Sequence, residues 1–572
     1  MNPIQLEIIR NALIASAEEM SVTVWRTSRS SVVREILDYS TCVFDANGFS
    51  VAQAARMPVH LNSMASCLSD ILADHIPIEQ WGVGDIIITN DPYSGGQHLP
   101  DIQTFMPVFY DGRRVAIVGI LVHHLDVGGG APGSYAPAAT EIFQEGFRIP
   151  PLHLARAGVR NEEVIQLFLK NSREPENVGG DFMSQLAALE IGAASVSRIA
   201  ERYGADRLQL AAEQIQVQSE TAMRSIISDM PDGQWEFTDW VDDDGISAQP
   251  IKIHVLLKVA GDRLSIDLSN SDRQAAGPVN CTKNMSSSGV ICAIMMVLGN
   301  SVPANAGVYR ALQIKSRPGT CVDAVSPAPV ANRMAVGHRI VNATMGALAA
   351  ALPGKVAACY YGVSYAYALE LESVSATQLK SKYPEASEAL DAEQEPSMTR
   401  QLYFDLECGG WGAFPGADGA SGFSCGFHNI ANSPIEMIES IYPVLFREYA
   451  LAPDSGGNGE FRGGLGLRRS FEVRSERANF TANLDRFSFP PYGLDGGESG
   501  APGKLWVTFA DRSRQDLPSK VNKLALATGD TITLQTAGGG GYGRLSQRSP
   551  DLLASDITDG YVSSDHANTI RS

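Results

Sequence analysis

His98 and Asp101 stand three residues apart in NDPYSGGQHLPDIQ, the segment from Asn90 to Gln103. Two glycines and two prolines mark the segment as a bend, and a plain surface bend needs neither an imidazole nor a second carboxylate. His123 and His124 follow at the end of an apolar run, with Asp126 opening the sequence DVGGG. Imidazole and carboxylate drawn from adjacent strand ends are a suitable N/O donor set for a borderline divalent cation such as zinc, manganese or iron. Such a set leaves positions open for water, which a catalytic metal needs. The competing reading is that these side chains make turn and capping hydrogen bonds. Asp38, in REILDYS, is either a fourth ligand or a turn aspartate. Only one of His123 and His124 can face the other ligands if the strand persists, because side chains alternate. His60, in MPVHLNSM, lies among apolar residues and reads as a hydrogen-bonded core histidine.

Three glycine clusters invite a phosphate-binding reading: Asp126–Gly130, Ser455–Gly466 and Gly538–Gly543. None ends in the Lys-Ser/Thr of a Walker loop. GGGAPG at Gly128–Gly133 fits G-x-G-x-x-G only formally, since no helical pattern follows it. Tight turns and close backbone packing explain such clusters more simply, and Asp126–Gly130 stays open because of its neighbours. GFSCG at Gly422–Gly426 fits a nucleophile elbow, with Ser424 as the nucleophile, but both flanks read as loop where a strand and a helix are required.

The elements that must position these groups are legible in the pattern. Asn2 can cap a first helix with Pro3 in its first turn, and Leu6, Ile9, Leu13, Ala17 and Met20 share one face. Tyr39–Phe44, Asp85–Thr89 and Val115–His123 read as strands, the last two feeding the His- and Asp-bearing loops. Residues 162–230 read as helical, 235–271 as strands, and alternation dominates from Gly456 onward. The polar stretch Ser373–Gln394 reads as an exposed helical insertion. The expected fold class is α+β, a large multi-layer chain. It divides into an α/β region with the metal site (1–230), a mixed α/β region (231–400), a β-rich region (401–545) and a polar tail (546–572).

At 572 residues and 44% hydrophobic content the chain exceeds what one small core needs. A net charge of −19 argues against nucleic acid and anionic membrane as partners. Eight scattered cysteines without CxxC spacing suit thiols in a reducing compartment. The first twenty residues lack a signal-peptide h-region, and the apolar run Gly289–Leu298 is too short to span a bilayer. A cytoplasmic, soluble protein is expected.

Taken together, NDPYSGGQHLPDI, LVHHLDVGGGAPGS, TEIFQEGFRIPPLHL, REPENVGGDFMSQLAAL and SPIEMIESIYPVLFREYALAPDSGGNGEFRGGLG resemble the hydantoinase B/oxoprolinase family. The resemblance covers nearly the whole chain. That family includes subunits of ATP-dependent hydantoinases, 5-oxoprolinases and caprolactamase, and a related subunit of acetone and acetophenone carboxylases. The resemblance implies a divalent metal, zinc or manganese, on His98 and Asp101 of the HLPD turn and on His123, with Asp38 of VREILDYS completing the set. It also implies a hetero-oligomer with an actin-like-fold ATPase subunit that binds most or all of the ATP. The implied activity is opening of a cyclic amide (a hydantoin, 5-oxoproline or another lactam), with water activated at the metal attacking a substrate phosphorylated by the partner. Asp126 or Glu145 is a candidate general base, and Arg34, Arg56 or Arg148 candidate cations beside the anionic substrate. The alternatives are ATP-dependent ketone carboxylation and a non-catalytic scaffold for the ATPase.

Overall fold

The computed structural model describes residues 1–60, 62–299, 301–372 and 400–571. The expected insertion Ser373–Gln394 lies outside the described residues. The fold is mixed α+β, with four sheets in which all strand pairs but one are antiparallel. No described helix is long and apolar enough to cross a membrane, and all eight cysteines are free thiols.

The first sheet builds the region around His98. Its strands are β1 (Tyr39–Asp45), β2 (Ser50–Gln53), β3 (Ile86–Thr89), β4 (Asp101–Tyr110), β5 (Arg113–His123), β6 (Leu152–Arg156) and β7 (Val159–Arg160), in the order β2-β1-β5-β4-β3-β6-β7. Both faces are covered, so its central strands are apolar on both sides. Side-chain alternation sends Val118, Ile120 and Val122 of β5 into the large core, and Ile117 and Leu121 into a second, smaller core. Cys42 and Phe44 of β1 and Phe105 of β4 join that smaller core, which helix Ser63–Asp70 covers with Met64, Cys67 and Leu68.

Helices cover the other face. Helix α1 (Pro3–Thr27) starts as expected: the Asn2 side chain accepts from the Ile4 N–H at 2.9 Å, and Leu6, Ile9, Leu13, Ala17 and Met20 are buried. It packs on α2 (Pro175–Tyr203), with α3 (Ala205–Ser228) alongside. Gln185 of α2 reaches into the sheet and donates to Ile102 O, Thr104 Oγ1 and Ile120 O.

The second sheet joins strands Gly233–Val241, Ile251–Ala260, Arg263–Asp267 and Leu312–Lys315, and helix α4 (Met334–Ala351) packs across the first two. The third and fourth sheets are assembled from strands between Ala366 and Gln535. The glycine clusters of this half serve close backbone approach: a Cβ at Gly538 would lie 1.8 Å from the Ser455 carbonyl oxygen. Within the polar tail, Pro550–Thr558 forms a helix held by Arg548 and Arg462 on Asp556.

Candidate metal centre and its cavity

Strand register brings three of the sequence candidates into one row. Asp101, the first residue of β4, is the direct cross-strand partner of His123, the last residue of β5. On the other side of β5, Val122 pairs with Tyr39, so Asp38 continues the row, and the His123 N–H donates to the Asp38 carbonyl at 3.1 Å. All three share the parity of Phe105, Ile117 and Phe44 and therefore project to the smaller-core face. His124 turns to the helical face, where its ring packs against Phe168 and Phe182 and its Nε2 lies 3.3 Å from Gln185.

His98 reaches the row from the turn. Asn90 anchors that turn by donating to Leu99 O and Phe147 O and accepting from Ile149 N. Asp91 caps Tyr93 N and Ser94 Oγ and pairs with Arg148 at 2.8 Å. Gly95 has φ +94°, and a Cβ there would lie 2.5 Å from Cys67 Cα, so a side chain at this point would push the turn off its supporting helix. The Pro100 carbonyl accepts from the His124 N–H and ties the turn to the end of β5. His98 Nδ1 lies 3.3 Å from the Ala331 carbonyl, which fixes Nδ1 as the protonated nitrogen and leaves Nε2 bare.

His98, Asp101 and His123 offer ligand atoms within 4.8 Å of one another, all buried. His98 Nε2 approaches Asp101 Oδ1 to 3.1 Å without the alignment of a hydrogen bond, and both atoms are left without a partner. Asp38 Oδ1 and His123 Nδ1 are buried and unpartnered as well. Buried polar atoms are normally satisfied, so the clustered donors of His98, Asp101 and His123, with the unpartnered Asp38 Oδ1 next along the row, fit a bound cation, and two imidazoles with carboxylates fit a divalent one.

The local electrostatics agree. Burial first, then the Arg333 guanidinium, lowers the basicity of His98; burial and His98 do the same for His123, so both rings are neutral, the state that ligates. Burial alone would raise Asp101, but Arg333 and His98 outweigh it and hold the carboxyl well below its usual range. Arg333 Nη2 donates to Asp101 Oδ2 at 2.7 Å. Burial, reinforced by Asp101, pushes Asp38 up to about 8. Burial and Asp101 thus outweigh Arg333 in favouring the protonated form of Asp38, a proton that a bound metal ion would displace.

Sequence reasoning missed several neighbours. Arg333 arrives from the N-terminal end of α4, and His60 and His428 flank the row. The Val59 N–H donates to the Phe427 carbonyl, which holds these two histidines together. Asp38, His60, His123, Tyr135, Arg333 and His428 line a cavity of about 20 Å³, room for one water. Burial lowers His60 to about 4 and, with Arg333, His428 to about 3. His60 is buried and hydrogen-bonded, as its apolar setting suggested, with Nδ1 3.0 Å from Ser40 Oγ, while its Nε2 lies 3.8 Å from Asp38 and is unpartnered. The only long-range signal for these contacts would have been pairing between distant segments.

The other candidates fall elsewhere. Asp126 is fully engaged, accepting from the Gly128, Gly133 and Arg173 N–H groups and from Arg173 Nη1. Glu145 Oε1 accepts from the Val330 and Ala331 N–H groups at 2.7 Å, and burial raises its carboxyl to about 8. Gly129 (φ +84°) lets that loop lie against Glu145, where a Cβ would meet its carbonyl at 2.5 Å. Arg34 is exposed, Arg56 bonds Ser21, and Arg148 pairs with Asp91; Arg333 is the cation beside Asp101. Ser424 Oγ accepts from the Ile430 N–H in a loop, as its flanks suggested. A second buried donor group, His338, Cys425 and His428, has no counterpart in the sequence reading.

The hydantoinase B/oxoprolinase family model matches residues 2–545. The chain belongs to that family. It is 31% identical over 99% of its length to the caprolactamase subunit beta of Pseudomonas jessenii, covering 95% of that protein. The solved ATP-dependent caprolactamase from Pseudomonas jessenii superposes with a TM-score of 0.89 at 28% identity, over 99% of this chain and 96% of the other. Nucleotide-free acetone carboxylase shares the fold, with a TM-score of 0.88 at 17% identity over 79% of its chain.

Proposed function

We propose that the chain is the metal-dependent subunit of an ATP-dependent cyclic amide hydrolase that opens a lactam, hydantoin or 5-oxoproline ring. The observation that carries this is the row of unpartnered donors on Asp38, His98, Asp101 and His123, at the edge of a buried cavity, in a chain similar over its whole length to a caprolactamase subunit. Those four residues would hold a divalent metal, zinc or manganese. When bound, such a cation supplies Lewis acidity, which acidifies water near neutral pH and offsets negative charge on oxygen.

An unstrained amide resists water because resonance stabilises it. The partner, an actin-like-fold ATPase subunit, would transfer the terminal phosphoryl group of ATP to the amide oxygen and release ADP. Resonance is then lost, and water adds to the carbon. The C–N bond breaks and the ring nitrogen takes up a proton, leaving an acyl phosphate that a second water hydrolyses to carboxylate and phosphate. On this chain, Arg333 neutralises Asp101 and adds positive charge beside the site. The Ala331 carbonyl holds His98 in its ligating tautomer. The cavity admits a water but not a ring, so substrate entry requires part of its lining to move.

Asp126 and Glu145 divide differently in this scheme. Asp126 has no free lone pair to offer and holds the glycine loop to Arg173. Glu145 positions the Val330–Ala331 backbone behind His98. Glu145→Gln keeps an acceptor there, so activity of the complex is expected to stay within about tenfold of wild type. A loss beyond about 100-fold with metal content unchanged would make Glu145 the general base.

The fold shared with acetone carboxylase supports a second reading, ATP-dependent carboxylation of a ketone. One assay separates the readings: the chain reconstituted with its ATPase subunit, supplied with ATP and a panel of cyclic amides and ketones, with and without bicarbonate. Ring opening independent of bicarbonate is expected. A carboxylated product that requires bicarbonate would overturn the hydrolase reading. Full activity after loss of the metal ligands would leave the chain a scaffold.

A further inference from the structure

His428 lines the same cavity as Asp38 and His123, on a loop after Cys425. Its ring is buried, and its two nitrogens differ. Nε2 lies 2.9 Å from Ser364 Oγ and 3.2 Å from His338 Nε2. Nδ1 is buried with no partner. Behind it, His338 Nδ1 lies 3.1 Å from the Tyr360 hydroxyl. Tyr360, His338 and His428 thus form one chain that ends at the cavity, and the proton positions along it can be worked out.

Two arrangements are possible for neutral rings. In the first, the Tyr360 hydroxyl donates to His338 Nδ1, His338 Nε2–H donates to His428 Nε2, and the His428 proton sits on Nδ1. Ser364 then shares that nitrogen's single lone pair in a bifurcated bond, so neither hydroxyl proton is left without an acceptor. In the second, all polarities reverse. The Tyr360 and Ser364 oxygens become acceptors, and no other acceptor is found for either buried hydroxyl proton among the described residues. A buried donor left unpaired costs about 1–3 kcal/mol, so the first arrangement wins. Burial keeps His338 and His428 neutral, which the argument requires.

We infer that His428 presents Nδ1–H as a neutral hydrogen-bond donor to the oxygen that occupies the cavity, its tautomer set by the chain from Tyr360 through His338. Opposite a cation and carboxylates, a neutral donor holds a water or substrate oxygen in place, and it does so without adding charge. It is strongest toward an oxygen that gains negative charge during the reaction. This role rests on the proposed ring-opening activity only for its catalytic consequence, since the tautomer is a property of the chain alone. It also disfavours a second metal on His338, Cys425 and His428, because a metal there would have to displace the proton between His338 Nε2 and His428 Nε2.

The test uses the metal-loaded full chain with ¹⁵N-labelled histidine. The His428 ring is assigned by its loss in His428→Asn, and two-bond ¹⁵N–¹H correlations read its tautomer. The Nδ1–H form is expected in wild type, with population shifting toward Nε2–H in Tyr360→Phe. Elemental analysis should show one metal per chain, unchanged in Cys425→Ser. In the reconstituted complex, His428→Ala should lower kcat about 100-fold with its metal retained. His428→Asn, whose amide N–H stands near the Nδ1 position, should restore at least about tenfold of that loss. An Nε2–H tautomer in wild type, or a second metal lost in Cys425→Ser, overturns the inference, as does equal activity of the Ala and Asn variants. If wild type opens no ring, the proposed activity fails, and the tautomer and metal counts still decide this inference.

Discussion

His98→Ala should leave a folded chain that binds less than about a tenth of the wild-type metal and loses about 10³-fold or more in ATP-dependent ring opening. The expected size follows from what goes with the ligand: several kcal/mol of charge stabilisation on the reacting oxygens, at about 1.4 kcal/mol for each tenfold in rate. His98 is the one proposed ligand that arrives from the turn, while Asp38, Asp101 and His123 are placed by strand register. The cut ring also leaves the Ala331 carbonyl without its partner, a loss of about 1 kcal/mol in stability, too small to unfold the chain. Elemental analysis and circular dichroism on the same sample separate the two effects. Wild-type activity in the variant would remove His98 from the chemistry.

Asp485→Ala should destabilise the chain by about 3–5 kcal/mol, the range for breaking a buried ion pair while its partner stays buried. Asp485 is fully buried and accepts from Arg339 of α4, from Lys520 at 3.1 Å and from the Asp242 N–H at 3.0 Å. Beside it Arg486 pairs with Asp239 at 2.7 Å, and Arg339 also donates to the Trp240 carbonyl. These bonds pin α4, which carries His338 and follows Arg333, to the second and third sheets. Burial alone would raise the Asp485 carboxyl, but Lys520 and Arg339 outweigh it and depress it from 3.8 to about 2. A depressed carboxyl stabilises the fold above its unfolded pKa, and that increment is lost as pH falls from about 4 toward 2. Denaturant unfolding at neutral pH should therefore show a large gap between variant and wild type, and the gap should narrow in acid. An equal gap at both pH values would mean that the loss is packing, not charge.

Much of this architecture is legible in local pattern, for physical reasons. The Asn2 cap and the periodic face Leu6–Met20 are local, and so is the apolar run that becomes β5. The ligand turn is legible because its chemistry is compressed into a few residues. What the sequence hides is distance along the chain. Arg333 stands more than two hundred residues from Asp101, and nothing around ANRMAV distinguishes it from an ordinary helix-start arginine. His60 and His428 meet through one backbone bond between Val59 and Phe427. Asp126 was ambiguous for the opposite reason: a carboxylate beside glycines can serve a ligand or its own loop, and only the four donors around it decide.

The proposed divalent metal belongs on the row formed by Asp38, His98, Asp101 and His123. X-ray absorption at the metal edge of the purified wild-type chain tests it most directly, since two buried donor groups compete and only one contains sulfur. The prediction is one metal per chain with two imidazoles, oxygen donors at about 2.0–2.2 Å and no sulfur. A scatterer at about 2.3 Å, the zinc–thiolate distance, would place the metal on Cys425 instead and contradict the account.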